Sequence, residues 1–317
     1  MRKLITFLMT LLVGSSVSYA NADFGQLTFE VGYRHDDISW NQKAPSYNPN
    51  YKLHRKFKDL DIVQIGLKGR TMLGYNFYGR ASVNWGWIVD GDYKRTFSTY
   101  KSPVIAGFGS EDFVVTDTRR DVIDENFVYD LSIGVGYPFY FSDCTLALSP
   151  VVGYALDSQH ISVEQGGLGF DSTGAVNPNS YGSYTHKFNS RWYGPFVGVD
   201  FNYRPYGETW NLYAEVEYHF ARFKGRYHDE LLSQHHIHRS KHAHAWTFAL
   251  GADYDFSNDW TAGLCVKFQD WTASRRHGHH GHVSSNSSDE IINLSGNERT
   301  SHKWNSYAIN LTFGKQF

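Results

Sequence analysis

Apolar and polar residues alternate with a period of two along most of this chain, most plainly in its last eleven residues. Tyr307, Ile309, Leu311, Phe313 and Phe317 share one parity; Ala308, Asn310, Thr312, Gly314 and Gln316 share the other. Such a period puts successive side chains on opposite faces of a β-strand. The pattern recurs in about ten segments. Leu27, Phe29, Val31 and Tyr33 mark the apolar face of the first, and the second spans about 57–69. In the third, Phe77, Gly79, Ala81, Val83, Trp85, Trp87 and Val89 oppose Tyr78, Arg80, Ser82, Asn84 and Gly86. Phe127, Tyr129, Leu131, Ile133, Val135 and Tyr137 carry the fourth; Leu146, Leu148, Val152, Tyr154 and Leu156 carry the fifth. The sixth shows Tyr193, Val197, Val199, Phe201 and Tyr203, with Trp192 and Phe196 blurring its polarity. Trp210 to Phe220, Trp246 to Tyr254 and Trp260 to Phe268 give the seventh, eighth and ninth, and the carboxy-terminal segment is the tenth.

The connections alternate in length. Those near 70–76, 138–144, 204–209 and 256–260 are short and hold turn residues; those near 39–56, 92–122, 166–186, 229–241 and 276–303 are long and polar. Short turns at one rim and long loops at the other are how transmembrane barrels are built. With both termini at the short-turn rim the strand number is even, and closure removes edges whose unpaired amides lipid cannot satisfy. The expected fold is therefore all-β: a ten-stranded antiparallel transmembrane β-barrel, with segments of up to about 15–18 residues projecting beyond the roughly 9–11 that a bilayer crossing needs. A soluble barrel with its apolar face inward is the alternative. It would put Glu30, Arg34, Lys68, Arg80, Asp130, Glu215, Glu217 and Lys267 outside. In the membrane reading these eight residues line the lumen.

The amino-terminus agrees with export. Arg2 and Lys3 precede an apolar run from Leu4 to Val13 and an Ala20-Asn21-Ala22 triplet, the layout of a secretory signal peptide over residues 1–22, which leaves 23–317 as one barrel domain. Aromatic residues make up 17% of the chain while mean hydropathy is −0.47, as expected when hydrophobicity is divided between faces. The formal charge of −2 argues against nucleic acid as a partner. Cys144 and Cys265 are too few for a disulfide framework; a bond between them and two buried thiols both fit their positions. Of the 16 histidines, His235, His236, His238, His242 and His244 form one outer group, and His277, His279, His280 and His282 another. Imidazoles at such spacing can chelate zinc, copper or nickel, but flexible Gly and Ser around them argue against a dedicated site. No metal and no cofactor is expected.

A strand that ends on Phe317 resembles the closing strand of bacterial outer-membrane barrels, whose terminal aromatic is read by the insertion machinery. Three stretches resemble the omptins, ten-stranded outer-membrane proteases: Trp85-Gly-Trp-Ile-Val-Asp-Gly-Asp92, Leu146 to Tyr154 followed by Glu164-Gln-Gly-Gly167, and Tyr193 to Arg204. That resemblance implies an Asp pair at Asp90 and Asp92, pointing into the outer mouth beside Ser82 and Asn84. It also implies an Asp-His pair that activates water, but here Arg226-Tyr-His-Asp-Glu230 stands in its place. His228 falls where the family has Asp and Glu230 where it has His, with Asp229 between, so the types occur in the wrong order. Omptin-type activity further implies lipopolysaccharide on the barrel wall, with Arg222 and Lys224 placed to meet it. The altered catalytic positions on an omptin-like frame look like the Pom family, porin-like outer-membrane proteins of chlamydia-related bacteria. That family implies diffusion of small solutes and leaves a homo-oligomer open; a surface binder working through the long loops is a third reading. Ten strands leave little lumen. Gaps at Gly134, Gly136, Gly198, Gly251 or Gly263 would have to supply any path.

Overall fold

The computed structural model describes residues 25–44, 50–74, 76–100, 113–120, 126–142, 145–170, 176–229, 234–257, 259–275 and 299–317. The segment 1–22 expected to be a signal peptide, Cys144 and the second histidine group lie outside them. Ten strands form the wall: β1 (Gly25–Ala44), β2 (Asn50–Gly74), β3 (Phe77–Tyr100), β4 (Phe127–Gly136), β5 (Leu146–Phe170), β6 (Val176–Tyr203), β7 (Trp210–Asp229), β8 (Gln234–Ser257), β9 (Trp260–Arg275) and β10 (Arg299–Gln316). Each pairs antiparallel with its sequence neighbours, and β1 pairs with β10 from Gln26–Gln316 to Lys43–Arg299, closing the barrel. Phe113–Arg120 takes over from short β4 along the upper half of β3, and Phe139–Phe141 adds a small pairing to β5.

The wall is apolar outward. Phe29, Val31, Ile133, Val152, Val197, Val216, Phe248, Leu250, Leu264, Ile309 and Leu311 are exposed, while their neighbours along each strand are turned in. This apolar belt has aromatic edges. Phe77, Tyr137 and Phe139 cluster at the short-turn rim; Trp85, Phe127, Tyr129 and His160 stack at the other edge, where Tyr218 also meets Phe220 and Trp246 edge-on. Phe77 and Trp87 are ten residues apart on β3. At ~3.3 Å per residue and a tilt of ~40°, that is about 25 Å, the height of a lipid-facing band.

Above this belt the strands run on. Residues 39–44, 50–56, 92–100, 166–170, 176–186 and 234–241, expected as loops, are strand, so β6 reaches 28 residues. Polar outward residues imitate a loop in sequence, but interstrand hydrogen bonding does not depend on what solvates the outer face. The short turns use backbone that few residues adopt: Gly74, Asn76, Gly207 and Asp259 have positive φ.

Candidate functional site in the barrel lumen

The interior is stacked in three tiers. Nearest the short turns, a vestibule of about 290 Å³ is bordered by polar residues that include Arg70, Tyr78, Asp200, Asn211 and Asp253. Above it lies a charged tier around a cavity of about 60 Å³. All eight residues expected to line the lumen face inward. Glu30, Arg34, Arg80, Asp130, Glu215 and Glu217 are buried, and Lys68 and Lys267 border the cavity.

Inward parity brings these charges together from strands distant in sequence. Arg34 Nε and Nη2 donate to Asp36 and Nη1 donates to Asp130, each at 2.8 Å. Arg80 donates to Glu215 at 2.9 Å and to Glu217, and lies 3.2 Å from Asp200. Lys68 and Arg70 converge on the other Glu215 oxygen, and Tyr78 donates to Asp200. His219 Nε2 lies 2.9 Å from Glu217, and Gln64 donates to Asn310 at 2.7 Å. Desolvation consumes most of the Coulombic gain of such pairs, whereas removing one partner costs about 3–5 kcal/mol. The network therefore holds its members in place more than it adds net stability.

The glycines do not leave a path. A Cβ at Gly251 would strike the Tyr213 ring, one at Gly136 the Tyr78 ring, and one at Gly134 would press on Val151 and Phe196. Gly198 lies against the Val216 carbonyl and Glu217, and Gly263 against the Ala252 carbonyl and Asp253. Each of these five positions, where any path would need a gap, is occupied by neighbouring atoms.

The third tier lies above the belt and was not foreseen. Trp192, Trp271 and Trp304 are fully buried, with Trp271 stacked on Trp304 at 5.6 Å and 5.7 Å from Trp192. Arg34 lies beneath, 5.2 Å from the Trp304 ring. Further out, Trp40 of β1 meets Phe188 of β6 at 6.0 Å, Tyr227 of β7 at 5.4 Å and His238 of β8 at 4.5 Å. Phe57 bridges Phe188 and Tyr93. Rings from opposite walls touch, so the lumen is shut across its width. His302 packs against Phe223 at 4.2 Å and Trp40 at 5.1 Å, and burial, reinforced by the Arg55 charge, lowers its pKa from the usual 6.5 to about 3.

Of the residues that the omptin resemblance implies, Asp90, Asp92 and His228 can be placed. Asp90 and Asp92 lie on the outer wall, because a bulge follows Ile88. Ile88 is turned in, Val89 and Asp90 are both exposed, and the inward set resumes at Gly91 and Tyr93. One extra residue inverts parity, which sends side chains to the opposite face. Asp90 pairs in register with Asp61, whose carboxylate accepts from Tyr33 Oη at 2.5 Å. His228 alternates with inward Tyr227 and is half-buried on the outer side; the Asp229 side chain and Glu230 lie outside the described residues. Of the first histidine group, His238 is inward and His242 and His244 are exposed on the wall, while the side chains of His235 and His236 lie outside the described residues. Cys265 is a buried free thiol. No group of metal-ligating side chains occurs among the described residues.

Outside, Lys224 of β7 lies in register between Arg191 of β6 and Arg239 of β8, with Arg222 and Arg226 flanking it along the strand. None of these five forms an ion pair among the described residues. Arg226 foremost, then burial, Arg239 and Arg191, holds the Lys224 pKa below the usual lysine range. This basic ridge stands just above the Tyr218–Trp246 aromatic edge.

A closed barrel of ten antiparallel strands, apolar without and charged within, is the architecture of an outer-membrane protein. The chain belongs to the Pom family (Protochlamydia outer membrane protein), whose profile matches residues 28–317. It therefore resides in the outer membrane, with the short turns facing the periplasm. No curated protein sequence matches it. Among solved structures it is similar to the outer-membrane protease OmpT of Escherichia coli, with a TM-score of 0.62 and 10% identity over 96% of this chain and 99% of that one. At that identity the likeness shows the fold alone. Two other barrels align less well: the autotransporter NalP translocator domain of Neisseria meningitidis (TM-score 0.36, 9% identity, 100% and 96% covered) and the toluene transporter TodX of Pseudomonas putida (TM-score 0.30, 11% identity, 94% and 91% covered). Neither bears on function.

Proposed function

We propose that this barrel is a porin-like outer-membrane protein whose narrow lumen admits small polar solutes when its aromatic tier parts. One observation carries the reading: among the described residues, the closure consists wholly of side chains borne by the wall, with no inserted backbone segment. Below that closure the interior is polar and already holds two cavities, of about 60 and 290 Å³. Side-chain rotamers move far faster than a backbone plug can be withdrawn. The ridge around Lys224 suits the phosphate groups of lipopolysaccharide, since unbalanced cations at the upper lipid boundary attract anionic headgroups.

Planar-bilayer recording of purified protein tests this. The wild type should give small, infrequent conductance steps, and Trp192→Ala/Trp304→Ala should give larger and longer ones. Silence from both would refute passage and leave a plugged surface barrel. An omptin-like protease finds less support, because Asp90 and Asp92 face away from the mouth.

A further inference from the structure

Arg55 is turned into the outer lumen and is only 4% exposed, yet no carboxylate pairs with it among the described residues. Its Nε and Nη1 are buried without an acceptor. Two ring faces flank it instead, Tyr227 at 4.1 Å and Trp40 at 4.9 Å. The other deeply buried arginines, Arg34 and Arg80, each hold two or more carboxylates. Arg55 is the exception, and cation–π contact offsets only part of the desolvation of a buried ion.

The neighbouring polar atoms share one character. Trp40 Nε1, at the same level, is a buried donor without an acceptor, and deeper in the tier so are Nε1 of Trp192, Trp271 and Trp304. Both His302 ring nitrogens are unpartnered, and one of them carries hydrogen in the neutral ring. Strand register sets Arg55, Trp40 and His302 side by side across β2, β1 and β10. A positive charge and several donors, with no oxygen to receive them among the described residues, form the complement of an oxyanion. Water could satisfy the donors, but it would leave the charge uncompensated.

We propose that Arg55, Trp40 and His302 form a binding site in the outer lumen for a small carboxylate. A guanidinium presents paired N–H donors that match a carboxylate's two oxygens. The flanking Trp40 and Tyr227 rings exclude water and strengthen that pairing. The site requires no conduction, so it stands or falls apart from the porin reading.

The test is thermal unfolding of the full chain in detergent, titrated with sodium acetate against sodium chloride at matched ionic strength, with inorganic phosphate as a second arm. Wild type should show a saturable rise in midpoint with acetate. Arg55→Met should show none, and its midpoint in chloride should be no lower than that of wild type, since it removes an uncompensated buried charge. Arg55→Lys keeps the charge without the fork and should weaken acetate binding at least tenfold; this variant serves if the methionine form does not fold. No saturable rise in wild type, an equal rise in either variant, or a response to phosphate but not acetate would overturn the proposal.

Discussion

Replacing His302 with phenylalanine should remove a pH dependence that this residue imposes on stability. The folded imidazole resists protonation, its pKa lowered from 6.5 to about 3 by burial and by Arg55. The unfolded chain, by contrast, protonates it near the ordinary value. Between pH 6.5 and about 3 the unfolded state therefore binds more protons, and stability falls as pH falls through that window. Each unit corresponds to at most about 1.4 kcal/mol, and less near either pKa, so acidification from 6.5 to 3.5 should cost wild type roughly 3–4 kcal/mol through this group alone. Other titrating groups are common to both proteins and cancel in their difference. Phenylalanine suits the site, which Phe223 and Trp40 line. The assay is urea unfolding in detergent, followed by tryptophan fluorescence in buffers free of carboxylate and phosphate. Wild type and His302→Phe should diverge steadily below pH 6.5, with the variant favoured. Arg55→Met should narrow the gap by letting His302 protonate at higher pH. Parallel loss of stability in the two proteins would refute the account of this tier.

Two further outcomes follow from the lumen and the wall. Arg80→Met leaves Glu215, Glu217 and Asp200 without their shared cation, and should destabilise the barrel by about 3–5 kcal/mol in the same unfolding assay. Asp90→Asn, on the exposed wall, should change stability by less than about 0.5 kcal/mol and leave any hydrolysis of a quenched peptide unaltered; hydrolysis abolished by it would place a catalytic site there.

Ten strands and their lipid-facing sides were legible because lipid imposes a strict rule on alternate residues. The inward charges were legible for the same reason: Glu30, Arg34, Arg80, Glu215 and Glu217 occupy the opposite parity within the belt. Outside lipid the rule lapses. Asp90 shows the consequence, since the bulge after Ile88 leaves no mark in a period-two pattern. The aromatic tier was hidden differently. Above the belt both the outer face and the rim meet water, so the apolar residues change sides and pack inward. A signal existed in the inward series itself. Cys265, Lys267 and Gln269 lead to Trp271; Glu215, Glu217, His219 and Ala221 lead to Phe223; Asn310, Ala308 and Ser306 lead to Trp304. Trp192 and Phe196, which blurred β6, are members of that inward set.

Quenching of single-tryptophan variants by lipids with brominated acyl chains decides which face of the wall meets the bilayer, because it reports which rings touch hydrocarbon. Trp87 and Trp246, exposed on the wall, should be strongly quenched, while Trp271 and Trp304, sealed in the lumen, should not respond. Quenching of Trp271 and Trp304 with Trp87 and Trp246 protected would contradict this orientation.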